Sequence, residues 1–180
     1  MRNDLHVHYS ASLYDHYSRH GVEGFDLLTT ARVLNEVRQR APGALLDVGT
    51  GTGVLAIALA KRLHRPVVAT DIDPIAVRTA HNNARDNGVG NEVFAIEATG
   101  LDHRVIAANA PYDLIVANIL AGPLIELAPA FAKALSPGGT IILGGLLDSQ
   151  ADAVIAAHEQ RDLSLCDRGS GEWPILVLTS

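Results

Sequence analysis

Three glycines stand at alternate positions in the stretch DVGTGTGVLAIALAK, which joins an apolar run to a segment of helical spacing. Glycines in a turn from a strand into a helix let a ligand approach backbone N–H groups at the helix N-terminus. The dinucleotide fingerprint needs a third glycine at its sixth position, which is Val54 when counted from Gly49. Neither Gly-Lys-Ser nor Gly-Lys-Thr occurs, which disfavours a P-loop. The turn therefore predicts a nucleotide-type ligand, with a purely structural turn as the alternative.

Residues suited to ligand binding stand at the ends of four predicted strands, at Gly49, Asp71, Glu97 and Asn118. In doubly wound sheets, ligands bind beyond the carboxyl ends of the strands. Asp71 follows Gly49 by about 20 residues, the spacing at which an acid accepts hydrogen bonds from a ribose. A turn or capping role is the alternative for Asp71, but its neighbour Asp73 fits that role better. We therefore expect the four positions to form one binding site.

Short apolar runs alternate with segments of helical periodicity along most of the chain. Strands are predicted at 44–48, 66–70, 92–97, 112–118 and 140–145, and helices at 25–40, 53–63, 74–86, 121–135 and 149–158. This alternation predicts an α/β fold with a doubly wound, mostly parallel sheet and helices on both faces. The segments DLSLC and ILVLT flank the turn-rich DRGSGEWP and predict an antiparallel C-terminal hairpin, which makes the sheet seven-stranded.

Local signals mark several element boundaries. The dipeptide Asp73-Pro74 predicts a helix N-cap followed by the first helical residue, and Asn87-Gly88 predicts the end of that helix. The SPGG segment at 136–139 predicts a break between a helix and the strand that follows it.

The composition fits one domain with a sizeable core, because the 180 residues are 48% hydrophobic. A net charge of −6 argues against nucleic acid as a partner. No apolar run reaches the length of about 20 residues that crosses a membrane, and the N-terminus lacks a signal-peptide pattern, so we expect a cytoplasmic protein. Cys166 is the one cysteine and is expected to be a buried thiol, and Trp173 is expected to pack in the core or at the sheet edge.

Residues 1–40 are expected to form an N-terminal arm and helix, and residues 41–180 the binding domain. The arm is rich in tyrosine and histidine, and it is either a lid over the ligand or a tail packed on the domain edge. His6, His8 and His16 lack a fixed third ligand for a metal, so no metal site is assigned.

Five segments resemble the class I S-adenosylmethionine-dependent methyltransferases: LLDVGTGTGVLAIALAK, VVATDIDPIAV, NNARDNGV, YDLIVANIL and LSPGGTIILGG. The similarity is closest to the bacterial methyltransferases of protein eleven of the large ribosomal subunit, covers residues 44–180, and includes the more specific ANILAGPLIELAP. It implies a Rossmann-like fold, S-adenosyl-L-methionine as cofactor with S-adenosyl-L-homocysteine as product, and N-methylation of a protein amine such as lysine.

The resemblance also implies which residues form the site. Asp47, Gly49 and Gly51 would contact the methionine part of the cofactor, Asp71 the ribose, and Glu97 with Ala98 the adenine. The full cofactor-binding set that it implies is Asp47, Gly49, Thr50, Gly51, Gly53, Asp71, Ile72, Glu97, Ala98 and Asn118. Asn118 is the catalytic candidate, because its side-chain oxygen would hold the acceptor amine beside the methyl group. Its alternative role is to cap the following helix.

Two features differ from the ribosomal enzymes. Those enzymes carry a substrate-recognition domain ahead of the catalytic one, and we expect it to be absent here because only residues 1–43 precede the first predicted strand. The stretch GVEGFDLLTTAR keeps Thr29 and Thr30 but lacks the family's histidine. The acceptor is therefore left open between a protein and a small molecule, and between nitrogen and oxygen, as is the oligomeric state. Two rival functions share this fold class: a nicotinamide-dependent oxidoreductase and a catalytically silent cofactor-binding module.

Overall fold

The computed structural model describes Thr30, Val33, Leu34, Asn35, Val37 and residues 42–180. Its strands are β1 (Leu45–Val48), β2 (Val67–Asp71), β3 (Val93–Glu97), β4 (Tyr112–Asn118), β5 (Leu135–Gly144), β6 (Ser164–Arg168) and β7 (Leu176–Thr179). They form one sheet in the order β3-β2-β1-β4-β5-β7-β6. Strands β1 to β5 are parallel, whereas β7 pairs antiparallel with both β5 and β6. The predicted mostly parallel sheet with an antiparallel C-terminal pair is confirmed.

Helices cover both faces of this sheet. They are α1 (Val54–Leu63), α2 (Pro74–Asp86), α3 (Arg104–Asn109), α4 (Ala121–Ala134) and α5 (Asp148–Glu159). On one face, α1, α2 and the helical residues Val33 and Val37 pack on the strands in one apolar cluster. On the other face, α3, α4 and α5 form a second cluster with the same sheet. This three-layer arrangement leaves the carboxyl edge of the parallel strands between the helix layers, where the connecting loops lie.

Several boundaries match their sequence signals. Helix α2 spans the predicted 74–86, and the Asp73 side chain caps it by accepting a hydrogen bond of 2.8 Å from the Ile75 N–H. The helix is followed by Gly88 at φ +74°, a left-handed conformation that favours glycine. Strand β4 spans the predicted 112–118. The capped start of α2 fixes the loop that leaves β2, which is one wall of the site described below.

Two elements differ from the prediction. Helix α3 was not expected, because it has six residues and its N-cap is His103, whose ring nitrogen accepts a backbone hydrogen bond of 3.2 Å. Strand β5 begins at Leu135 rather than at Thr140, since Leu135 pairs with Tyr112 ahead of an irregularity in the ladder. The SPGG segment is therefore the irregular first part of a strand and not a break before it.

The C-terminal hairpin corrects the prediction for Cys166 and excludes the core alternative for Trp173. Cys166 is exposed instead of buried. Strand β6 is the edge strand, and its half-buried face carries Leu165 and Asp167, whereas Cys166 lies on the exposed face. Trp173 lies outside the core in the loop between β6 and β7, with 48% of its surface exposed.

The predictions for the N-terminal arm, including His6, His8 and His16 and its role as a lid or tail, lie outside the described residues. Within the described residues, the structure contains no helix with the length and apolar character needed to cross a membrane.

Candidate functional site

The parallel strands bring the predicted site residues to one edge of the sheet. Strands β3, β2, β1 and β4 are consecutive neighbours, so their carboxyl ends lie side by side. The last pair in the register of β2 and β3 joins Asp71 to Glu97, and Val48, just before Gly49, pairs with both Thr70 and Ala117. Neighbouring strands lie about 4.8 Å apart, so Gly49, Asp71, Glu97 and Asn118 line one continuous edge.

The three glycines of the loop after β1 have different structural roles. A Cβ at Gly49 (φ +74°) would collide with Ile119 Cγ2, so this glycine lets the loops after β1 and β4 touch. A Cβ at Gly53 (φ +87°) would lie 3.1 Å from Ala80 Cβ, which shows that Gly53 allows α1 and α2 to pack closely. At Gly51 (φ +53°), no heavy atom lies within 4 Å of the Cβ position. Only Gly51 therefore faces free space in which a ligand could lie.

Hydrogen bonds hold the glycine loop against the end of β2. The N–H groups of Gly49 and Thr50 both donate to the Thr70 carbonyl at 2.8 Å. The Gly51 N–H donates to Asp71 Oδ2 at 2.9 Å, and the Asp73 N–H donates to Asp71 Oδ1 at 3.0 Å. The half-buried Asp71 carboxylate therefore fixes the loop while part of its surface stays accessible to a ligand.

Asp47 lies beneath this loop and is fully buried. Its Oδ2 accepts a hydrogen bond of 2.7 Å from the Thr50 hydroxyl, whereas its Oδ1 has no hydrogen-bond partner. Burial raises the pKa of Asp47 from 3.8 to about 6. The Thr50 hydroxyl and the Ala56 backbone oppose the rise, and the charge of Asp71 adds to it. A cation at the loop would stabilise the ionised carboxylate.

Asn118 ends β4 and is half-buried, and its Oδ1 is buried without a hydrogen-bond partner. The alternative role as a helix cap is wrong, because α4 begins at Ala121 with Leu120 as its N-cap and no side-chain cap. An unpaired buried oxygen costs free energy unless a donor reaches it. Asn118 is thus placed to accept a hydrogen bond from a bound molecule.

The rest of the edge offers polar and apolar surfaces for a nucleoside. Glu97 is exposed at the end of β3, and the following Ala98 is held by a hydrogen bond of 2.9 Å from its N–H to the Asp71 carbonyl. Ile72 is 71% exposed and stands between Asp71 and Asp73 in the sequence. An exposed branched side chain beside two carboxylates suits a flat base next to a ribose.

The charge of the edge fits a cationic cofactor. Among the described residues, no lysine or arginine forms a salt bridge with Asp47, Asp71 or Glu97. These three carboxyl groups would repel a pyrophosphate when they are ionised, whereas they would attract an ammonium group and a sulfonium. The residues present therefore fit S-adenosylmethionine, which carries both cationic groups and no phosphate.

Sequence reasoning missed the contributions of Thr70 and Ile119. Thr70 acts through its carbonyl oxygen, and Ile119 fills the space that Gly49 leaves. Residue type does not reveal either contribution. Thr70 acts through a backbone carbonyl that every residue has, and Ile119 acts through the shape of its side chain.

Comparison with known proteins identifies the family of this chain. The model of the family described as ribosomal protein L11 methyltransferase (PrmA) matches residues 28–180. The ribosomal protein L11 methyltransferase of Brucella suis is 52% identical over 128 residues, which are 71% of this chain and 45% of the relative. That of Bradyrhizobium diazoefficiens is 49% identical over 161 residues, 89% of this chain and 54% of the relative.

Solved structures give the same result. The ribosomal protein L11 methylase of Lactobacillus delbrueckii subsp. bulgaricus superposes with a TM-score of 0.73 at 30% identity, covering 88% of this chain and 78% of that one. An RNA methyltransferase of Salinibacter ruber in complex with S-adenosyl-L-homocysteine shares the fold, with a TM-score of 0.65 at 19% identity over 83% of this chain and 88% of that one. The chain spans about half the length of the curated relatives that it matches. It belongs to the ribosomal protein L11 methyltransferase (PrmA) family, whose cofactor is S-adenosylmethionine.

Proposed function

We propose that this chain transfers the methyl group of S-adenosylmethionine to an amine of a protein, at the carboxyl edge of β1 to β4. The observation that carries this proposal is the buried Oδ1 of Asn118, which has no hydrogen-bond partner at the end of β4. A buried acceptor without a donor is rare in folded proteins, and an incoming amine would supply the missing N–H.

The cofactor supplies a methyl group on a positively charged sulfonium, which is an activated leaving group. The free space at Gly51 would take its methionine part. Asp71 would accept hydrogen bonds from the ribose, and Ile72, Glu97 and Ala98 would border the adenine. Because Asp47 is buried, it would act from beneath the loop by its charge and by its hold on Thr50.

The acceptor would need to be a neutral amine when it attacks. A lysine has a pKa near 10.4 in water, and partial burial lowers the pKa of an ammonium group because the charged form loses hydration. By accepting an N–H of the amine, Asn118 Oδ1 would point the nitrogen lone pair at the methyl group. Since the leaving group is already activated, this alignment would supply most of the catalysis.

Ribosomal protein L11 is the acceptor named for the relatives, and we propose it as the first acceptor to test for this chain. A small-molecule acceptor is the alternative. A nicotinamide-dependent oxidoreductase is not favoured, because the chain belongs to a methyltransferase family and the first residue of α1, where the dinucleotide fingerprint needs glycine, is Val54. The cytoplasmic location stays a prediction.

The test combines binding and transfer measurements on the full chain. Isotope-labelled S-adenosylmethionine is incubated with ribosomal protein L11 and, separately, with a cell extract that is divided into protein and small-molecule fractions. We expect label in the protein, and we expect Asn118→Ala to lower turnover by about 100-fold or more. Calorimetry should give Asn118→Ala a Kd for S-adenosylhomocysteine within about threefold of wild type, since the Asn118 hydrogen bond forms with the acceptor.

Asn91→Ala is the matched control, because Asn91 is exposed in the turn before β3 and lies outside the site. It should change neither turnover nor binding. Turnover that is unchanged in Asn118→Ala would remove this residue from the mechanism. Label found only in small molecules would replace the protein acceptor, and stabilisation by NAD instead of S-adenosylhomocysteine would contradict the methyltransferase proposal itself.

A further inference from the structure

Leu120 is exposed next to the reacting centre. It follows Asn118 by two residues, and 72% of its surface is exposed, a large fraction for a leucine. Two residues of extended chain span about 7 Å at most, which is comparable to the reach of the four-carbon stem of a lysine. An acceptor whose nitrogen contacts Asn118 Oδ1 would therefore pass within reach of the Leu120 side chain.

Ile119, the residue between Asn118 and Leu120, is held in place by its neighbours, and this fixes the position of Leu120. Ile119 lies between two glycines. Its Cγ2 occupies the space beside Gly49, and a Cβ added to Gly145 would lie only 2.5 Å from the Ile119 carbonyl oxygen. Ile119 is thus held on both sides by main chain. This contact directs Ile119 inward and leaves Leu120 facing solvent at the mouth of the site.

Leucine is a poor choice for this position on structural grounds. Leu120 is the N-cap of α4 and provides no side-chain hydrogen bond to the first turn. Ser, Thr, Asp and Asn are the residues that stabilise a helix at this position. The first turn of α4 next to it is also open, because no atom lies within 4 Å of a Cβ at Gly122. Neither helix capping nor core packing accounts for a leucine here.

We infer that Leu120 is a specificity residue that packs against the aliphatic stem of an acceptor lysine, an inference that rests on the proposed function. The contact would favour acceptors that place an apolar chain between the reacting nitrogen and the polypeptide. Polar or short-stemmed amines would gain nothing from it.

The test compares Leu120→Ser, Leu120→Met and wild type in methyl transfer to ribosomal protein L11. Leu120→Ser should raise the acceptor KM about tenfold, as expected when a leucine contact is lost, while kcat and the Kd for S-adenosylhomocysteine stay within twofold. Leu120→Met should restore the KM, because methionine keeps an apolar side chain of similar volume. Serine also caps helices, so Leu120→Ser should raise the Tm by about 2–4 °C, and a higher KM in a more stable protein cannot come from misfolding.

Phe94→Ser is the matched control, since Phe94 is 47% exposed on the outer strand β3 and away from the mouth of the site. It should leave the acceptor KM unchanged. An unchanged KM in Leu120→Ser would overturn the inference, and so would a fall in kcat without a rise in KM. In either case, methyl transfer to protein by the wild type would still support the proposed function. A wild-type protein that binds S-adenosylhomocysteine but labels no protein would overturn both.

Discussion

At the scale of single residues, Asp47 is an energetically unfavourable group at the candidate site. The carboxylate is fully buried, one oxygen has no partner, and its pKa is raised to about 6. A carboxyl group with a folded-state pKa above its unfolded value of 3.8 destabilises the fold when it is ionised. This cost is absent below the unfolded pKa, grows as the pH rises between the two values, and is complete above the folded one.

Replacing Asp47 by Asn should therefore stabilise the protein above pH 6. A rise in pKa from 3.8 to about 6 corresponds to a gain in the free energy of unfolding of at most about 3 kcal/mol. Part of this gain is lost because the new amide is also a polar group that must be buried. The gain in the free energy of unfolding, measured by urea denaturation, should shrink as the pH falls from 7 to 4. Binding of S-adenosylhomocysteine should weaken, because the cofactor ammonium loses an opposite charge.

Asp73→Asn controls for charge removal at an exposed cap. Asp73 caps α2, and Asn caps helices as well as Asp does, so stability and cofactor binding should change little. If Asp47→Asn gained the same stability at every pH, desolvation of the carboxylate would not be the cause.

At the scale of elements, two glycines of similar conformation differ in location, because Gly51 lies in the loop after β1 and Gly88 follows helix α2. Gly51 and Gly88 both have positive φ, +53° and +74°, and neither would bring a Cβ within 4 Å of another atom. Alanine at either position should cost about 1–2 kcal/mol of backbone strain. Only Gly51→Ala puts a methyl group where the cofactor is proposed to lie.

We therefore expect matched losses of Tm in Gly51→Ala and Gly88→Ala, with a loss of S-adenosylhomocysteine affinity of about tenfold or more in Gly51→Ala alone. Thermal denaturation and calorimetry on the same preparations measure both quantities. Equal affinities in the two variants would show that the space at Gly51 is not part of the binding site.

The same scale shows what the sequence could and could not predict. The helix at 74–86 was predicted because its cap, its proline and its terminal Asn87-Gly88 act locally. Helix α3 was missed because it has only six residues and His103 as its N-cap. The start of β5 was missed because pairing between Leu135 and Tyr112 is decided by distant parts of the chain. The site was predicted as a set of strand ends, but residue type could not show that Asp47 is buried beneath the loop or that Asn118 lacks a partner.

At the scale of the whole molecule, the sheet divides into a parallel half that carries the candidate site and an antiparallel edge that carries none of the candidate residues. Four strand intervals separate β1 from β6 in the sheet order, which at about 4.8 Å each gives about 19 Å. Cys166, the one cysteine of the chain, is exposed on β6. The edge should therefore be chemically accessible and independent of the cofactor.

Cys166 should react with a thiol reagent in the native protein, and saturating S-adenosylhomocysteine should not change the rate. The labelled protein should keep its cofactor Kd within twofold, because the label lies beyond the Debye length of about 10 Å at 0.1 M salt and contacts none of the strand ends that are proposed to bind the cofactor. Cys166→Ser should abolish labelling, which identifies the reacting group. Protection by the cofactor would mean that binding reorganises the antiparallel edge, and the site would then extend across the whole sheet instead of occupying its parallel half.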